Sequence, residues 1–102
     1  MTEPRVSLLN PCANDKALSF YGKAIIIETQ DIIKLQSYDT IVCVYYKNSH
    51  LVSIRGWFSM TTGRHIKSFL EYLGVRVDNL MVKYKCHSFK QLVENHKEFY
   101  LE

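Results

Sequence analysis

The apolar residues of this chain change their spacing near residue 59, and this change constrains the fold more than any other feature. Before it, four segments alternate apolar and polar residues or are dense in β-branched and aromatic ones, as strands are. These segments are Lys23–Glu28, Ile32–Gln36, Thr40–Lys47 and Leu51–Phe58. Because the breaks between them are short, the pattern favours an antiparallel meander over parallel β-α-β units.

After residue 59 the apolar spacing becomes helical, with one stripe that is expected to face the sheet. The stripe consists of Ile66, Phe69, Leu70 and Leu73. We expect Thr61 or Thr62 to cap the start of this helix, because a threonine oxygen accepts hydrogen bonds from the unpaired N–H groups of the first turn. Gly74 is suited to end it, since glycine adopts the left-handed conformation without penalty.

The last third of the chain predicts one more strand and one more helix. Leu80–Lys85 alternates as a fifth strand would, and Ser88 followed by Gln91 resembles a capping box. The second helix is then predicted to carry Phe89, Leu92, Val93, His96 and Tyr100 on its apolar side. The predicted fold class is α+β: an antiparallel β-meander of four strands, or five with Leu80–Lys85, packed by one or two α-helices.

A length of 102 residues indicates a single domain spanning residues 1–102. Within it we expect an irregular N-terminal arm over 1–18, a sheet-plus-helix core over 19–74, and a C-terminal extension with a helix over 75–102. The strand and helix periods together predict which side chains are largely buried. These are Ile41, Cys43, Ile54, Ile66, Phe69, Leu70 and Leu73.

Several protein classes are disfavoured by simple patterns. The first ten residues have no long apolar run after a basic start, so we expect no signal peptide. The longest apolar runs, Ala24–Ile27 and Ile41–Tyr46, are far shorter than the ~20 residues of a membrane span. We therefore expect a cytoplasmic protein that does not enter a membrane. Cys12, Cys43 and Cys86 have no CxxC spacing and are expected to be free thiols.

Metal binding and catalysis are also not expected. The clustered soft ligands, Cys86, His87 and His96, are fewer than the four that a closed zinc site needs. His65 has no serine, cysteine or carboxylate at a recognisable motif spacing, although triads also assemble from distant positions. The sequence thus predicts a protein without enzymatic activity, metal or cofactor.

The junction between the last meander strand and the first helix carries the most interactive residues. The start of a helix has a partial positive charge of ~0.5, and the hydroxyls, glycine and cations around it are those that a phosphate or carboxylate site uses. The candidate residues for an anion or acidic-partner site are Arg55, Trp57, Ser59, Thr61, Thr62, Gly63, Arg64, His65 and Lys67. An ordinary structural explanation fits as well: a threonine caps the helix, Gly63 suits its first turn, Arg64 is solvated and His65 packs on Phe69.

The positive charge is unevenly distributed. The net charge of +3 does not by itself indicate a nucleic-acid partner, but residues 55–90 contain seven basic side chains and two acidic ones. The basic residues are Arg55, Arg64, Lys67, Arg76, Lys83, Lys85 and Lys90. Together with the tyrosines among them they could follow a phosphate backbone and stack on bases, or they could form a solvated face.

Three segments carry a resemblance to a known family. In order they read SFYGKA (19–24), LQSYDT (35–40) and GWFSMTTGRHIKSFL (56–70). They resemble the motifs SFYGKA, SYxT and GWxSxTTxRHIxxFL of small proteins from bacteriophages and mobile elements of gut-type bacteria, over about residues 14–74. The resemblance implies a phage or prophage accessory protein and brings no enzyme class and no functional residues with it.

The leading expectation is therefore a non-catalytic binding protein that acts in the cytoplasm of a bacterial host on a host or phage protein or nucleoprotein. Its most concrete form is an anti-CRISPR-like inhibitor of a host defence complex, with a CRISPR nuclease as one such target. The alternative is a small nucleic-acid-binding or regulatory protein that uses the basic stretch 55–90. Exposed strand edges and many tyrosines would also allow a symmetric homodimer.

Overall fold

The computed structural model describes residues 4–8, 24–56 and 59–101, which form a six-stranded sheet and three α-helices. The strands are β1 (Arg5–Leu8), β2 (Ala24–Glu28), β3 (Ile32–Ser37), β4 (Thr40–Tyr46), β5 (Leu51–Ile54) and β6 (Glu98–Tyr100). The helices are α1 (Met60–Tyr72), α2 (Val77–Lys83) and α3 (Phe89–Asn95). The strands lie in chain order and each pairs antiparallel with its neighbours. The predicted α+β class and antiparallel meander are confirmed, but the described residues form six strands where four or five were predicted, and three helices where one or two were predicted.

The core lies between one face of the sheet and the three helices. Its buried members come from β2 to β6 and from all three helices. They are Ala24, Ile26, Ile33, Leu35, Val42, Cys43, Val52, Ile54, Ile66, Phe69, Leu70, Val77, Val93 and Phe99. The segment predicted to be a C-terminal extension thus contributes to the same core as the meander, through Val77, Val93 and Phe99.

Most of the predicted core residues are buried, but two lie at its margin. The register between β3 and β4 shifts at Leu35/Gln36, so that Ile41 pairs with Gln36 and is only half-buried, while Val42 enters the core. Leu73, at the end of α1, is also half-buried. Burial raises the pKa of the Cys43 thiol, which keeps the thiol protonated and unreactive.

The predicted strand Leu80–Lys85 is wrong, because these residues belong to α2 and the turn after it. Val82 is 78% exposed, whereas a strand with this alternation would have buried it beside Leu80. The apolar positions that pack on the core instead have helical spacing, at Val77, Leu80, Met81 and Tyr84.

The structure has two strands that the sequence pattern did not predict. β1 lies within the predicted irregular arm and pairs with β2, whereas the other residues of 1–18, except Pro4, lie outside the described ranges. β6 contains Tyr100, which the sequence pattern places on the second predicted helix; the helix observed there, α3, ends at Asn95. β6 pairs with β5 so that Phe99 lies opposite Val52.

β1 and β6 are the two edges of the sheet within the described ranges. Such edges leave backbone groups open for pairing, and edge-to-edge dimerisation stays a prediction. Among the helices that the structure describes, none has the length and apolar character required to cross a membrane.

Phe69→Ala tests the packing of α1, because the Phe69 side chain is completely buried at the centre of the core. We expect the free energy of unfolding, measured by urea titration, to fall by about 3–5 kcal/mol, the usual cost of removing a buried phenylalanine ring. Tyr72→Ala, at a 52% exposed position of the same helix, is the matched control and should change it by much less. Equal effects of the two substitutions would show that α1 does not turn Phe69 toward the sheet.

Candidate functional site

Helix α1 begins one residue after Ser59, and not at the threonines predicted to cap it. Ser59 has an extended backbone, and its Oγ accepts a hydrogen bond of 3.1 Å from the N–H of Thr62. The N–H of Gly63 donates to the Ser59 carbonyl at 2.8 Å. Thr61 and Thr62 are thereby the second and third residues of the helix, so the predicted cap is corrected to Ser59.

A polar cluster, buried except for Ser59, connects α1 to the end of β3. The Oγ of Ser37, the last residue of β3, lies 3.0 Å from Thr62 Oγ1 and 2.7 Å from His65 Nδ1. The Ser59 hydroxyl donates to Thr62 Oγ1 at 3.2 Å. Ser37, Thr62 and His65 are exposed by only 2%, 4% and 0%. We refer to Ser37, Ser59, Thr62 and His65 as the Ser37 cluster.

One choice of donors and acceptors accounts for all three side-chain hydrogen bonds of the Ser37 cluster. Ser59 donates to Thr62, Thr62 to Ser37, and Ser37 to Nδ1 of a neutral His65. A buried polar group deprived of its partner costs about 1–3 kcal/mol. Rotating α1 about its axis would break both hydrogen bonds of Ser37 at once, so the cluster fixes how the helix is placed on the sheet.

Tyr38 lies beside this cluster in an unusual backbone conformation. Its φ of 56° is in the left-handed region, which costs a residue other than glycine roughly 1–2 kcal/mol. The Tyr38 ring centre is 5.9 Å from that of His65, and the ring planes are tilted by 42°. Gln36 Nε2 donates to the Tyr38 carbonyl at 3.0 Å and helps to hold the turn. The β3–β4 turn therefore places an aromatic ring next to the buried imidazole.

The distance between Ser37 and His65 resembles that of a nucleophile and its base. A nucleophile must meet its substrate, however, and neither side chain reaches solvent in this structure. The geometry accordingly supports a structural role for the pair. Among the described residues, no three His, Cys, Asp or Glu side chains are grouped so that they could hold a metal ion.

The structure divides the predicted anion-site residues between the interior and the surface. Thr62, Gly63 and His65 are buried, and the prediction that they face a partner is therefore corrected. The reason is the helical period, which turns these positions toward the sheet. The remaining described candidates comprise exposed Arg55, Ser59 and Arg64 and half-buried Thr61 and Lys67. Trp57 lies outside the described residues.

The outward side of α1 carries two of the predicted cations. Met60, Arg64, Lys67 and Glu71 follow one another at helical spacing on this side, and we call them the α1 outer stripe. Met60, Arg64 and Glu71 are exposed, and Met60 is accessible over 66% of its surface. Within the part of the chain that the structure describes, no carboxylate approaches the Arg64 guanidinium to within the 4.0 Å of an ion pair.

Residues 9–81 match the profile of DUF8033, a family of proteins of unknown function. The chain belongs to this family. The matched range contains β2 to β5, α1 and the whole Ser37 cluster, and it ends within α2. Neither the curated proteins nor the solved structures contain a match to the chain.

The sequence pattern did not single out Ser37, which lies in the short break between the predicted strands Ile32–Gln36 and Thr40–Lys47. A usable signal was present in the spacing of α1. Thr62 lies four residues before Ile66 and His65 lies four residues before Phe69, so they continue the apolar stripe toward the helix start. Polar residues on a buried stripe need buried partners, and Ser37 is such a partner.

Ser37→Ala tests the structural role of the cluster. We expect the free energy of unfolding to fall by about 1–3 kcal/mol, because Thr62 and His65 lose a buried hydrogen-bonding partner. Ser53→Ala, at a half-buried serine of β5, is the matched control and should change it by less than about 0.5 kcal/mol. Urea titration of both variants measures the difference, and equal losses would contradict a structural role for the Ser37 hydroxyl.

Proposed function

We propose that this chain is a non-catalytic binding protein that docks on an acidic surface of another macromolecule through the α1 outer stripe. The single observation that carries the proposal is the difference between the two sides of α1. One side holds the polar groups capable of chemistry in the interior, and the opposite side presents Arg64 and Lys67 outward.

The rigidity of α1 supports this proposal. Its inward side is fixed by Phe69 in the core and by Thr62 and His65 in the Ser37 cluster. Cations on a fixed helix lose little backbone freedom when they bind, and an arginine can engage a carboxylate or phosphate with two parallel hydrogen bonds. None of the described carboxylates lies within ion-pair distance of Arg64, so none of them competes with such a partner for its guanidinium.

The resemblance to phage and mobile-element proteins supports a more concrete form of the proposal. In this form the partner is a host defence complex in the bacterial cytoplasm, for example a CRISPR nuclease, and binding inhibits it. Such complexes are nucleoproteins, so either an acidic protein surface or a phosphate backbone could face the stripe. The chain would act by occupying that surface, without turning over a substrate.

A second candidate, binding of nucleic acid by the basic stretch 55–90, is favoured by the exposure of its cations. Most of the predicted basic residues in this range are exposed, while Lys67 is half-buried. The exposed ones are Arg55, Arg64, Arg76, Lys83, Lys85 and Lys90. Exposed cations can neutralise phosphates and release counterions, which makes the affinity strongly salt-dependent.

Arg64→Ala tests the leading proposal. Partners are first captured from a bacterial host lysate with the wild-type chain, and the affinity of the purified partner is then measured by calorimetry. We expect Arg64→Ala to weaken binding by about 1.5–3 kcal/mol, the range of a charge-assisted hydrogen bond, with no change in melting temperature. Arg5→Ala, at an exposed arginine of β1, is the matched control and should bind as the wild type does. A lower melting temperature with unchanged affinity would contradict the proposal.

Salt dependence separates the two candidates. For nucleic-acid binding, the logarithm of the affinity for a 20-base-pair DNA duplex should fall linearly with the logarithm of salt concentration, with a slope of about −0.9 per phosphate neutralised. Fluorescence anisotropy with labelled duplex measures this slope. A steep slope that becomes shallower in a Lys85→Ala variant would support the nucleic-acid candidate, whereas negligible duplex binding at physiological salt would exclude it.

A further inference from the structure

A cleft of about 440 Å³ lies beside the connection between α1 and α2, on the side of β6. It does not include the Ser37 cluster or the exposed cations at the start of α1. The residues that line it are Leu73, Gly74, Val75, Arg76, Asn79, Leu80, Lys83, Tyr100 and Leu101. Its position and lining make it a second candidate for binding, separate from the function proposed above.

Backbone hydrogen bonds hold the walls of this cleft. Gly74, with φ of 92°, donates to the Glu71 carbonyl at 3.0 Å, and Val75 donates to Leu70 at 2.9 Å. This is the Schellman pattern that ends a helix with a left-handed glycine, and it turns the chain sharply toward α2. On the opposite wall, the N–H of Leu101 donates to the carbonyl of His50 at 2.8 Å. The cleft is thus largely formed before a ligand arrives.

The lining combines an apolar part with a cationic rim. Leu73, Val75, Leu80 and Leu101 are half-buried hydrophobic residues that pack on the core. Arg76 and Lys83 are exposed, and the Lys83 ammonium lies 5.5 Å from the centre of the Tyr84 ring. Tyr100 is also exposed, over 64% of its surface. Arginine and tyrosine are enriched among the residues that dominate binding energy at protein interfaces.

The charges of the lining residues are of one sign. Arg76 and Lys83 are the charged residues among them, and none of the described residues that line the cleft is acidic. No carboxylate of the described residues lies within ion-pair distance of Arg76. An occupant that complements this cleft therefore carries a negative group beside a large apolar group.

We propose that the cleft binds a short peptide segment of a partner protein in which an acidic side chain neighbours a large apolar one. The carboxylate would pair with Arg76 at the rim, and the apolar side chain would cover Leu80 and the Tyr100 ring. An extended peptide is favoured because a second hollow, of about 460 Å³, adjoins the cleft. The two hollows share Gly74, Val75, Arg76 and Asn79, so together they offer an elongated path across the α1–α2 connection. The second hollow is also lined by Glu71 and Asp78 and reaches Lys67 of the α1 outer stripe, so the acidic residue of the peptide belongs in the first hollow and uncharged residues in the second.

The test uses two matched probes and the full chain. The first is an N-acetylated, C-amidated peptide, Gly-Ser-Asp-Leu-Phe-Ser-Gly, and the second has asparagine in place of its aspartate. Each is titrated into ¹⁵N-labelled protein while backbone amide signals are followed by NMR. We expect the acidic peptide to shift the amides of residues 74–80, 100 and 101 saturably, and the neutral one to bind at least about ten-fold more weakly, as loss of one charge-assisted hydrogen bond predicts.

Three variants identify the contact. Arg76→Gln should weaken binding of the acidic peptide by about ten-fold or more without changing the melting temperature, since Arg76 is exposed and makes no side-chain cap bond to α2. Arg5→Gln, at the far edge of the sheet, and Arg64→Gln, on the α1 outer stripe, should leave it unchanged. This separates the cleft from the proposed function, because a loss confined to Arg64→Gln would support the stripe and overturn the cleft.

Two further results would overturn the inference. Equal binding of the two peptides would show that the cationic rim does not select a carboxylate. Equal affinity for N-acetyl-leucine, which has the carboxylate and the apolar group but no chain, would show that the cleft takes a small acid and not a peptide.

Discussion

The hydrogen bond between Ser37 and His65 is the contact on which the arrangement of this molecule depends. It joins the last residue of β3 to the first two turns of α1, and Thr62 and Ser59 extend it to the helix start. A purely apolar contact would tolerate small rotations of a helix on a sheet, whereas hydrogen bonds require particular distances and directions. The orientation of every side chain on the outer side of α1 follows from that constraint.

Because the Ser37, Thr62 and His65 side chains are buried, they are not part of the surface that a partner can contact. Hydroxyl and imidazole groups that point into a packed interior contribute specificity of packing and are closed to ligands. The accessible interactive groups of the described residues include cations and aromatic rings, such as Arg64 on α1 and Arg76 and Tyr100 around the cleft. Such groups are typical of recognition surfaces. The two proposed sites therefore have the same chemical character although they lie on different elements.

Local patterns predicted β2 to β5 and α1 because short turns join these strands and the apolar stripe of α1 is regular. They failed at Leu80–Lys85, where apolar and polar residues alternate as they do in a strand. The same region also has apolar residues at helical spacing, and these are the ones that pack in the core: Val77, Leu80, Met81 and Tyr84. β6 could not be predicted from local patterns, because all three helices lie between it and its pairing partner β5 along the chain. The described residues of the predicted site lie around the start of α1, and only the docking of α1 on the sheet shows which of them face inward and which outward. Burial of Thr62 and His65 depends on Ser37, far away in sequence.

The position of β6 has a consequence for how the chain folds during synthesis. β2 to β5 are joined by short turns, so they can pair soon after they emerge from the ribosome. β5 nevertheless remains an open edge until α1, α2 and α3 have been made and Phe99 reaches Val52. Open edges of this kind recruit strands from other chains. Nascent chains that stall within the helices would thus expose the backbone of Leu51–Ile54 and be prone to aggregate with one another.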